Sequence, residues 1–375
     1  MTDKPERTSA NEKFMRRALT LAARARGHTS PNPLVGAVIV QGDRIVGEGY
    51  HQKAGETHAE INALNHAGKA ARNATLYVTL EPCCHWGRTP PCTEAIIRAG
   101  IAKTFVAHVD PNPKVAGKGI RQLERAGIHV HVGLCEDEAR RLNEIYIKYI
   151  QTKRPFVILK SAISLDGKIA TVSGESQWIT SQASRLKGHE IRGSVDAILV
   201  GIGTVLRDNP SLTTRIPNQE GKDAVRIVVD SQGRTPLTAK IFNPNSEAGV
   251  IIAVTENVSA EKVEKLQAAG AEVLVIEEQQ NRVCLSALMK KLGQREITSV
   301  LIEGGGEVNA SALKAGIVDK VSFFIAPKLI GGVNAPGPIG GEGIQRLSEA
   351  LELRDLTVMP IEADFLIEGY ITDGS

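Results

Sequence analysis

The sequence has few of the features that mark nucleic-acid-binding, membrane or secreted proteins. Aromatic residues make up 4% of its 375 residues and the formal net charge is +3, so it lacks the basic, aromatic-rich face typical of polynucleotide binding. No segment approaches the ~18 uninterrupted apolar residues of a membrane helix. The polar start, MTDKPER, lacks the apolar core of a signal peptide. We therefore expect a cytoplasmic protein with no nucleic-acid or membrane partner.

Cysteine is also scarce, and its distribution is uneven. The five cysteines are an odd number in a long chain, which argues against a disulfide framework. Cys83, Cys84 and Cys92 lie within ten residues of one another, whereas Cys135 and Cys284 are isolated. The cluster indicates metal or redox chemistry, and the two isolated cysteines are expected to be ordinary buried thiols.

The chain is long enough for two globular domains. Hydrophobic residues make up 42% and charged residues 23% of the sequence, as in ordinary globular proteins. The polar segment QTKRP at residues 151–155 is the best candidate for a linker. We therefore predict one domain over residues 1–150 and a second over residues 151–375.

Both halves show the alternation of strands and helices that is typical of α/β domains. In the first half, a helix around residues 14–25 precedes a hairpin over residues 34–48, and then β and α segments alternate up to a helix over residues 136–150. In the second half we predict seven strands, at residues 156–160, 197–200, 226–230, 250–254, 272–276, 299–302 and 321–326. Each half is thus expected to form a sheet with parallel strands covered by helices.

A candidate metal site stands out in the first half. His58-Ala59-Glu60 is followed by Pro82-Cys83 and, after eight intervening residues, by Cys92. A catalytic zinc takes three protein ligands and keeps one position open for water, whose pKa it lowers to about 7. His58, Cys83 and Cys92 would supply the ligands, and Glu60 would carry protons from water to the leaving group. Because Glu60 is two residues from His58, the two converge only if the metal lies beyond the first turn of a helix, with Thr57 as a possible cap.

A structural zinc site is the main alternative. Such a site is usually closed by a fourth protein ligand, which Cys84 or His85 could supply. Glu60 would then have no role, so we favour the catalytic interpretation.

This pattern resembles that of the zinc nucleoside-deaminase superfamily, although two residues usually separate its cysteines. The segments TLEPCCHWGRTPPC at residues 79–92 and DPNPKVAGKG at residues 110–119 resemble motifs of the bifunctional riboflavin-biosynthesis deaminase/reductase family, and the resemblance covers nearly the whole chain. It implies a cytidine-deaminase-like three-layer α/β/α domain followed by a dihydrofolate-reductase-like α/β domain that uses NADPH. The resemblance also implies that copies of the chain associate through the reductase half. It further implies that Cys84 does not bind the metal and that His85 lies near the metal or contacts the substrate.

Further motifs extend the resemblance into the second half. They are KSAISLDGKIA from Lys160, GESQWIT from Gly174, GIGTVLRDNP from Gly201 and the strand–triple-glycine–helix segment around Gly305. Glycines at such a junction let backbone amides approach a phosphate at the helix N-terminus, although taken alone this motif is weak and is not a G-x-G-x-x-G fingerprint.

The resemblance also implies the site residues. Those expected to contact the cofactor are Ala162, Trp178, Thr204, Asp208, Ser231, Gly305, Gly306, Glu307, Val308, Asn309, Ala310 and Ser311. Those expected to contact the substrate of the reductase are Ser176, Arg192, Leu212, Arg215 and Glu303, and those of the deaminase are Asn32, His51, Arg88, Asp110 and Asn112. The roles of Lys160 and Asp166 stay open.

The expected activity is two steps of riboflavin synthesis. Zinc-dependent deamination of a diamino-pyrimidinone ribosyl phosphate would precede NADPH-dependent reduction of its ribosyl chain. Two rivals remain at this stage, a nucleic-acid-editing deaminase with an appended binding domain and a non-enzymatic zinc module joined to a nucleotide-sensing domain. The low charge and low aromatic content disfavour the first.

Overall fold

The computed structural model of the chain describes residues 5–86, 90–217, 221–242 and 245–372. The chain divides into two compact units, Met1–Lys153 and Arg154–Ser375. The division falls three residues beyond the expected position because a helix continues to Thr152 and is capped by Lys153, which has a φ of 57°. In the described ranges, no helix is both long enough and apolar enough to cross a membrane.

The first unit alternates strands and helices around one five-stranded sheet. Its elements are α1 (Pro5–Ala23), β1 (Gly36–Gln41), β2 (Arg44–Tyr50), α2 (Ala59–Ala67), β3 (Thr75–Val78), α3 (Cys92–Ala99), β4 (Lys103–Val106), α4 (Lys118–Arg125), β5 (His129–Val132), α5 (Glu136–Leu142) and α6 (Glu144–Thr152). The strand order is β2-β1-β3-β4-β5. Strand β1 is antiparallel to both β2 and β3, and β3, β4 and β5 are parallel.

The side chains of successive residues in the central strands pack on opposite faces of the sheet, in two separate hydrophobic cores. Ile39 and Leu76 pack in one core with residues of α2, α3 and α4, whereas Val40 and Tyr77 pack on the other face with residues of α1 and α5. This follows from the two-residue period of a strand. The first unit therefore has the expected three-layer α/β/α arrangement.

Helix α2 lies close against β2 because two positions of the strand lack a side chain. A Cβ atom built on Gly47 would lie 2.4 Å from the carbonyl oxygen of Ala63, and one built on Gly49 would lie 2.4 Å from the amide nitrogen of Ala63. Both distances are far below van der Waals contact. Because α2 begins directly after His58, this packing also sets the position of a predicted metal ligand.

The single helix that we expected over residues 136–150 is interrupted. Asn143 separates α5 from α6 and is 2% exposed. Its side chain accepts a hydrogen bond from Leu34 N at 2.8 Å and donates one to Leu34 O at 2.9 Å. An asparagine that pairs with a distant backbone in this way breaks the helix, and neither sequence periodicity nor composition reveals the partner.

The second unit is a larger α/β domain. Its elements are β6 (Phe156–Ser164), α7 (Gln182–Ser194), β7 (Ala197–Gly201), α8 (Ile202–Asp208), β8 (Val225–Val229), β9 (Val250–Thr255), α9 (Ala260–Ala268), β10 (Ala271–Ile276), β11 (Glu278–Gln279), β12 (Arg282–Val283), α10 (Leu285–Gln294), β13 (Ser299–Ile302), α11 (Gly306–Lys314), β14 (Lys320–Ala326), β15 (Leu353–Ile361) and β16 (Asp364–Ile371). Strands β11 and β12 form a small separate hairpin.

Nine strands form one sheet in the order β10-β9-β8-β7-β13-β6-β14-β16-β15. The seven predicted strands are all present, and they run parallel from β10 to β14. The prediction of only seven strands was wrong, because it missed the antiparallel pair β15 and β16. Eight of the nine residues of β15 are exposed, so this strand lacks the alternating pattern from which a half-buried strand is predicted.

The glycine at position 49 generates a test of the packing between α2 and β2. We expect Gly49→Ala to lower the free energy of unfolding of the first unit by about 1–3 kcal/mol, because the new methyl group overlaps the backbone of α2. Equilibrium unfolding in urea measures the effect. Gly249→Ala is the control, since a Cβ atom there meets nothing within 4 Å, and an equal loss in both variants would contradict the account.

Candidate functional site

The structure brings His58, Cys83 and Cys92 together from three segments. His58 is the extended residue just before α2, Cys83 lies in the loop after β3, and Cys92 is the first residue of α3. One ligand atom of each lies within 4.8 Å of the other two. The two helix starts and the strand end meet at the carboxyl edge of β3, where ligands gather in open α/β sheets.

The spacing of these atoms fits a tetrahedral zinc site. His58 Nδ1 lies 3.2 Å from Cys92 Sγ and 3.5 Å from Cys83 Sγ. Zinc bonds of about 2.0 Å to nitrogen and about 2.3 Å to sulfur place tetrahedral nitrogen and sulfur ligands about 3.5 Å apart. One imidazole and two thiolates are also the donor types that zinc prefers. The three side chains could therefore bind this ion with little rearrangement.

The two thiols of this cluster, Cys83 and Cys92, are joined by a hydrogen bond. A hydrogen bond from Cys92 lowers the pKa of Cys83 to about 4, and the nearby His58 adds to the effect. The pKa of Cys92 is raised by the same bond and by burial. The hydrogen bond thus favours the thiolate form of Cys83, which is the form that binds metal.

Glu60 lies in the first turn of α2 and is 3% exposed. Burial raises its pKa to about 7, and the charge on Cys83 adds to the rise. His58 precedes the helix, and Glu60 in its first turn interacts with Cys92, so the two side chains converge on the cluster. The suggestion that Thr57 caps α2 was wrong, because His58 holds the cap position and Thr57 Oγ1 donates to Asn62 Oδ1 at 2.7 Å.

No fourth protein ligand accompanies the cluster in the described part of the chain. The metal-ligating group found there contains three residues, and neither Cys84 nor His85 belongs to it. This arrangement fits the expectation of an open fourth position.

Two of the predicted pyrimidine contacts form a pair beside the cluster. Asn32 Nδ2 lies 3.1 Å from His51 Nε2, and His51 Nδ1 lies 3.2 Å from Thr57 O. His51 therefore donates through Nδ1 and accepts from Asn32 through Nε2, and burial lowers its pKa. The rings of His51 and His58 lie edge to face with centroids 5.6 Å apart. The Asn32 amide is thus oriented next to the metal ligands.

Asp110 and Asn112 are held in one loop after β4. The Asp110 carboxylate accepts hydrogen bonds from Asn112 N at 2.8 Å and from the hydroxyl of Tyr146 at 3.0 Å. Asn112 Oδ1 accepts from Lys114 N at 3.1 Å. Arg88, the remaining predicted contact in this unit, lies outside the described residues.

A cleft of 580 Å³ opens in the second unit. Ten of the predicted residues line it, namely Ala162, Ser176, Trp178, Thr204, Asp208, Glu303, Gly305, Gly306, Glu307 and Val308. The first residue of α11 is Gly306, so the N-terminus of this helix faces the cleft. A Cβ atom on Gly305 would approach only Thr204 Oγ1, at 3.9 Å. The backbone there is open to a phosphate group, which fits a dinucleotide cofactor.

Trp178 forms part of the wall of this cleft. It is 60% exposed, the Arg185 guanidinium lies 4.6 Å from its ring centroid, and Lys328 Nζ donates to its carbonyl oxygen at 2.7 Å. An exposed aromatic ring held in this way can serve as a flat surface for a cofactor ring.

A partly buried charge cluster lies at the wall of the cleft. Arg192 Nε donates to Glu303 Oε2 at 2.9 Å, and Lys160 Nζ lies 3.9 Å from Glu303 Oε1. Although burial acts to raise it, the charges of Arg192 and Lys160 lower the pKa of Glu303 to about 2. Burial lowers the pKa of Lys160, and Glu303 opposes the change. Sequence reasoning left Lys160 without a role, whereas the structure places it in the cleft wall.

The other predicted residues of this unit lie around the cleft and do not line it in the described structure. They are Arg192, Leu212, Arg215, Ser231, Asn309, Ala310 and Ser311. Ser231 Oγ accepts from Val283 N at 3.1 Å, and Asn309 Nδ2 donates to Pro338 O at 2.8 Å. Leu212 is buried, and Arg215 Nη1 donates to Ser211 Oγ at 3.3 Å.

Two further residues have contacts that the sequence did not indicate. Arg282 donates from both terminal nitrogens to Glu307 Oε2 at 3.2 Å, at the start of α11. Asp166 accepts from Gly331 N at 2.6 Å and from Ile330 N and Ser164 Oγ. The carboxylate of Asp166 therefore holds the loop after β14.

Comparison with known proteins identifies both units. Residues 8–108 match the cytidine and deoxycytidylate deaminase zinc-binding region, and residues 155–367 match the RibD C-terminal domain. The riboflavin biosynthesis protein RibD of Actinobacillus pleuropneumoniae is 48% identical over 362 residues, covering 96% of each chain. That of Escherichia coli K12 is 43% identical over 355 residues, covering 92% of this chain and 95% of the relative.

Solved structures of related proteins have the same fold over nearly the whole chain. Acinetobacter baumannii RibD superimposes with a TM-score of 0.87 at 38% identity, covering 98% of this chain and all of the other. A diaminohydroxyphosphoribosylaminopyrimidine deaminase/5-amino-6-(5-phosphoribosylamino)uracil reductase from Thermotoga maritima gives a TM-score of 0.86 at 37% identity with the same coverage. The expected pair of a deaminase-like and a reductase domain is confirmed.

His189 generates a prediction about pH. Burial, followed by the charges of Arg192 and Arg215, lowers its pKa from 6.5 to about 4. Between these two values the unfolded chain binds more protons than the folded one, so stability falls as pH drops from about 6.5 to about 4. We expect the fall in the midpoint of thermal unfolding between pH 7 and pH 5 to be smaller in His189→Gln. An unchanged fall in this variant would contradict the assignment.

Proposed function

Because this chain belongs to the RibD family of riboflavin-biosynthesis proteins, we propose that it catalyses two successive steps on one pyrimidine ribosyl phosphate. The first is hydrolytic deamination of 2,5-diamino-6-(5-phosphoribosylamino)pyrimidin-4-one in the unit ending at Lys153. The second is NADPH-dependent reduction of the ribosyl chain to ribityl in the unit from Arg154. The Thermotoga maritima relative carries these two activities in its name.

The observation that carries the proposal is the cluster of His58, Cys83 and Cys92 with Glu60 in the adjoining helix turn. The three ligands hold zinc, which when bound supplies a water acidic enough to react at neutral pH. Glu60 takes a proton from this water and passes it to the ring and then to the departing amine. Burial raises the pKa of this carboxyl, which favours its taking up the proton.

The pyrimidine is bound by side chains that hydrogen bonds within the protein hold in fixed orientations. His51 holds the Asn32 amide, whose oxygen we assign as the acceptor for a ring amino group. Asp110 and Asn112, fixed in their loop by Tyr146 and by backbone amides, are assigned to the same substrate. Arg88 is assigned to the substrate phosphate by family resemblance.

In the second unit, the start of α11 and the glycines before it receive the cofactor phosphates. NADPH, when bound, supplies the hydride. Ser176, Arg192, Leu212, Arg215 and Glu303 are assigned to the substrate. We assign to Lys160 the proton that the ribose oxygen takes up on reduction, because its pKa is lowered and it lines the cleft next to Glu303.

We further propose that two copies associate through β15. This edge strand is nine residues long, and Leu353, Leu356, Val358 and Met359 are each at least 39% exposed. A long apolar edge strand offers unpaired backbone groups and apolar side chains to another chain. A cytoplasmic location follows from the need to keep the cysteine ligands reduced.

Glu60 separates the two activities. We expect Glu60→Gln to lose deamination by at least about 10²-fold, because the amide cannot carry the proton, while reduction of the deaminated substrate is unchanged. The measurement is product identification by mass after incubation with each substrate, with and without NADPH. Glu124→Gln, an exposed glutamate on α4, is the control, and loss of both activities or of neither would contradict the assignment.

The edge strand has its own test. We expect Val358→Lys to shift the protein toward a monomer in light scattering coupled to gel filtration, because lysine on an edge strand opposes pairing. Val275→Lys is the matched control, since Val275 is 45% exposed on β10 at the other edge of the same sheet. A monomeric wild type, or dissociation by the control alone, would rule out association through β15.

A further inference from the structure

Glu81 is a buried carboxylate in the first unit for which the chemistry above has no use. It is 3% exposed and lies two residues before Cys83. Its Oε2 accepts hydrogen bonds from Asp110 N at 3.2 Å and Gly117 N at 2.8 Å, and its Oε1 accepts from Gly119 N at 2.9 Å and Ile120 N at 3.2 Å. One side chain thus receives four backbone N–H groups.

These four donors belong to the loop that carries predicted substrate contacts. The loop runs from the end of β4 to the first turn of α4 and contains Asp110 and Asn112. Glu81 is bound to both ends of it, at Asp110 and at Ile120. The orientation of the Asp110 backbone, and with it the carboxylate that accepts from Tyr146, therefore depends on Glu81.

The approach of the loop to Glu81 is close and leaves no room for a side chain. A Cβ atom on Gly119 would lie 2.1 Å from Pro82 O and 3.2 Å from Glu81 Oε1. The loop backbone is thus packed directly on the segment that leads to the metal ligand.

The same segment is fixed on its other side. The carbonyl oxygen of Cys83 accepts from Thr93 N at 3.2 Å and from Thr93 Oγ1 at 3.3 Å, and Glu81 N donates to His108 O at 3.1 Å. Cys83 therefore lies between an anchor at Glu81 and an anchor at the start of α3. A shift of Glu81 would move the sulfur relative to His58 and Cys92.

The two oxygen atoms of the Glu81 side chain are essential to this arrangement. A carboxylate offers about four lone-pair sites and can accept all four N–H groups, whereas a glutamine side chain has one oxygen and presents its own NH₂ group to the remaining donors. A glutamine at position 81 therefore cannot accept all four N–H groups.

We propose that Glu81 is a positioning residue of the deaminase unit that couples the zinc ligand Cys83 to the substrate-binding loop of residues 110–120. Its loss disturbs metal binding and substrate binding together, without touching the reductase unit. The part that concerns substrate rests on the deamination proposed above, whereas the part that concerns zinc does not.

The test compares Glu81→Gln with wild type in the full chain. Three quantities are measured: the zinc dissociation constant by competition with a chromophoric chelator, the visible spectrum of the cobalt-substituted protein, and KM and kcat for deamination. We expect zinc to bind about 10–100-fold more weakly, as for other residues that orient metal ligands, with an altered cobalt spectrum and a raised KM. Reductase kinetics in the same sample report the integrity of the rest of the chain, and Glu124→Gln is the matched control.

Wild-type zinc affinity, cobalt spectrum and KM in Glu81→Gln would overturn the proposal, even if the protein unfolds at a lower temperature. If Glu81→Gln does not fold, Gly119→Ala is the deciding variant, because its methyl group overlaps Pro82 O and crowds the Glu81 carboxylate, and so separates the loop from this segment without removing the Glu81 side chain. It must show the same changes in zinc affinity and spectrum, and wild-type values in it would equally overturn the proposal. A wild type that binds zinc but does not deaminate would refute the proposed function alone.

Discussion

The active arrangement in the first unit depends on the meeting of two helix starts with one strand end. His58 precedes α2, Cys92 begins α3 and Cys83 follows β3, so the three ligands are held by backbone elements whose positions are set by packing. The two glycines of β2, Gly47 and Gly49, let α2 approach the sheet closely. This packing positions the start of α2, where His58 and Glu60 lie. The metal ligands are thereby held by rigid elements, which keep the ligand atoms within about 0.5 Å of the geometry that the metal requires.

The two units use buried charge in different ways. In the first, burial raises the pKa of Glu60, which favours protonation of this carboxyl. In the second, Arg192 and Lys160 lower the pKa of Glu303 although its side chain is only 7% exposed, and the paired charges are fixed in the wall of the cleft. Burial dominates at Glu60 and paired charge dominates at Glu303, so the pKa values of the two glutamates shift in opposite directions.

Much of the molecule could be predicted from its sequence because the signals are local. The H-x-E and Pro-Cys spacing led to the zinc ligands, and apolar runs led to the seven parallel strands. The features that were missed depend on partners far away in the chain. Asn143 breaks a helix by pairing with Leu34, and Glu81 binds amides 29 to 39 residues away, which as backbone groups leave no trace in the sequence. Strand β15 was missed because its exposed residues do not alternate.

The central claim is that one imidazole and two thiolates bind a single zinc ion whose fourth position is open to water. X-ray absorption at the zinc edge of the purified protein tests it most directly. The account predicts one zinc per chain with two sulfur ligands at about 2.3 Å and two nitrogen or oxygen ligands at about 2.0 Å, and loss of one sulfur from this shell in Cys92→Ser. Three sulfur ligands in the wild type, or an unchanged shell in the variant, would contradict it.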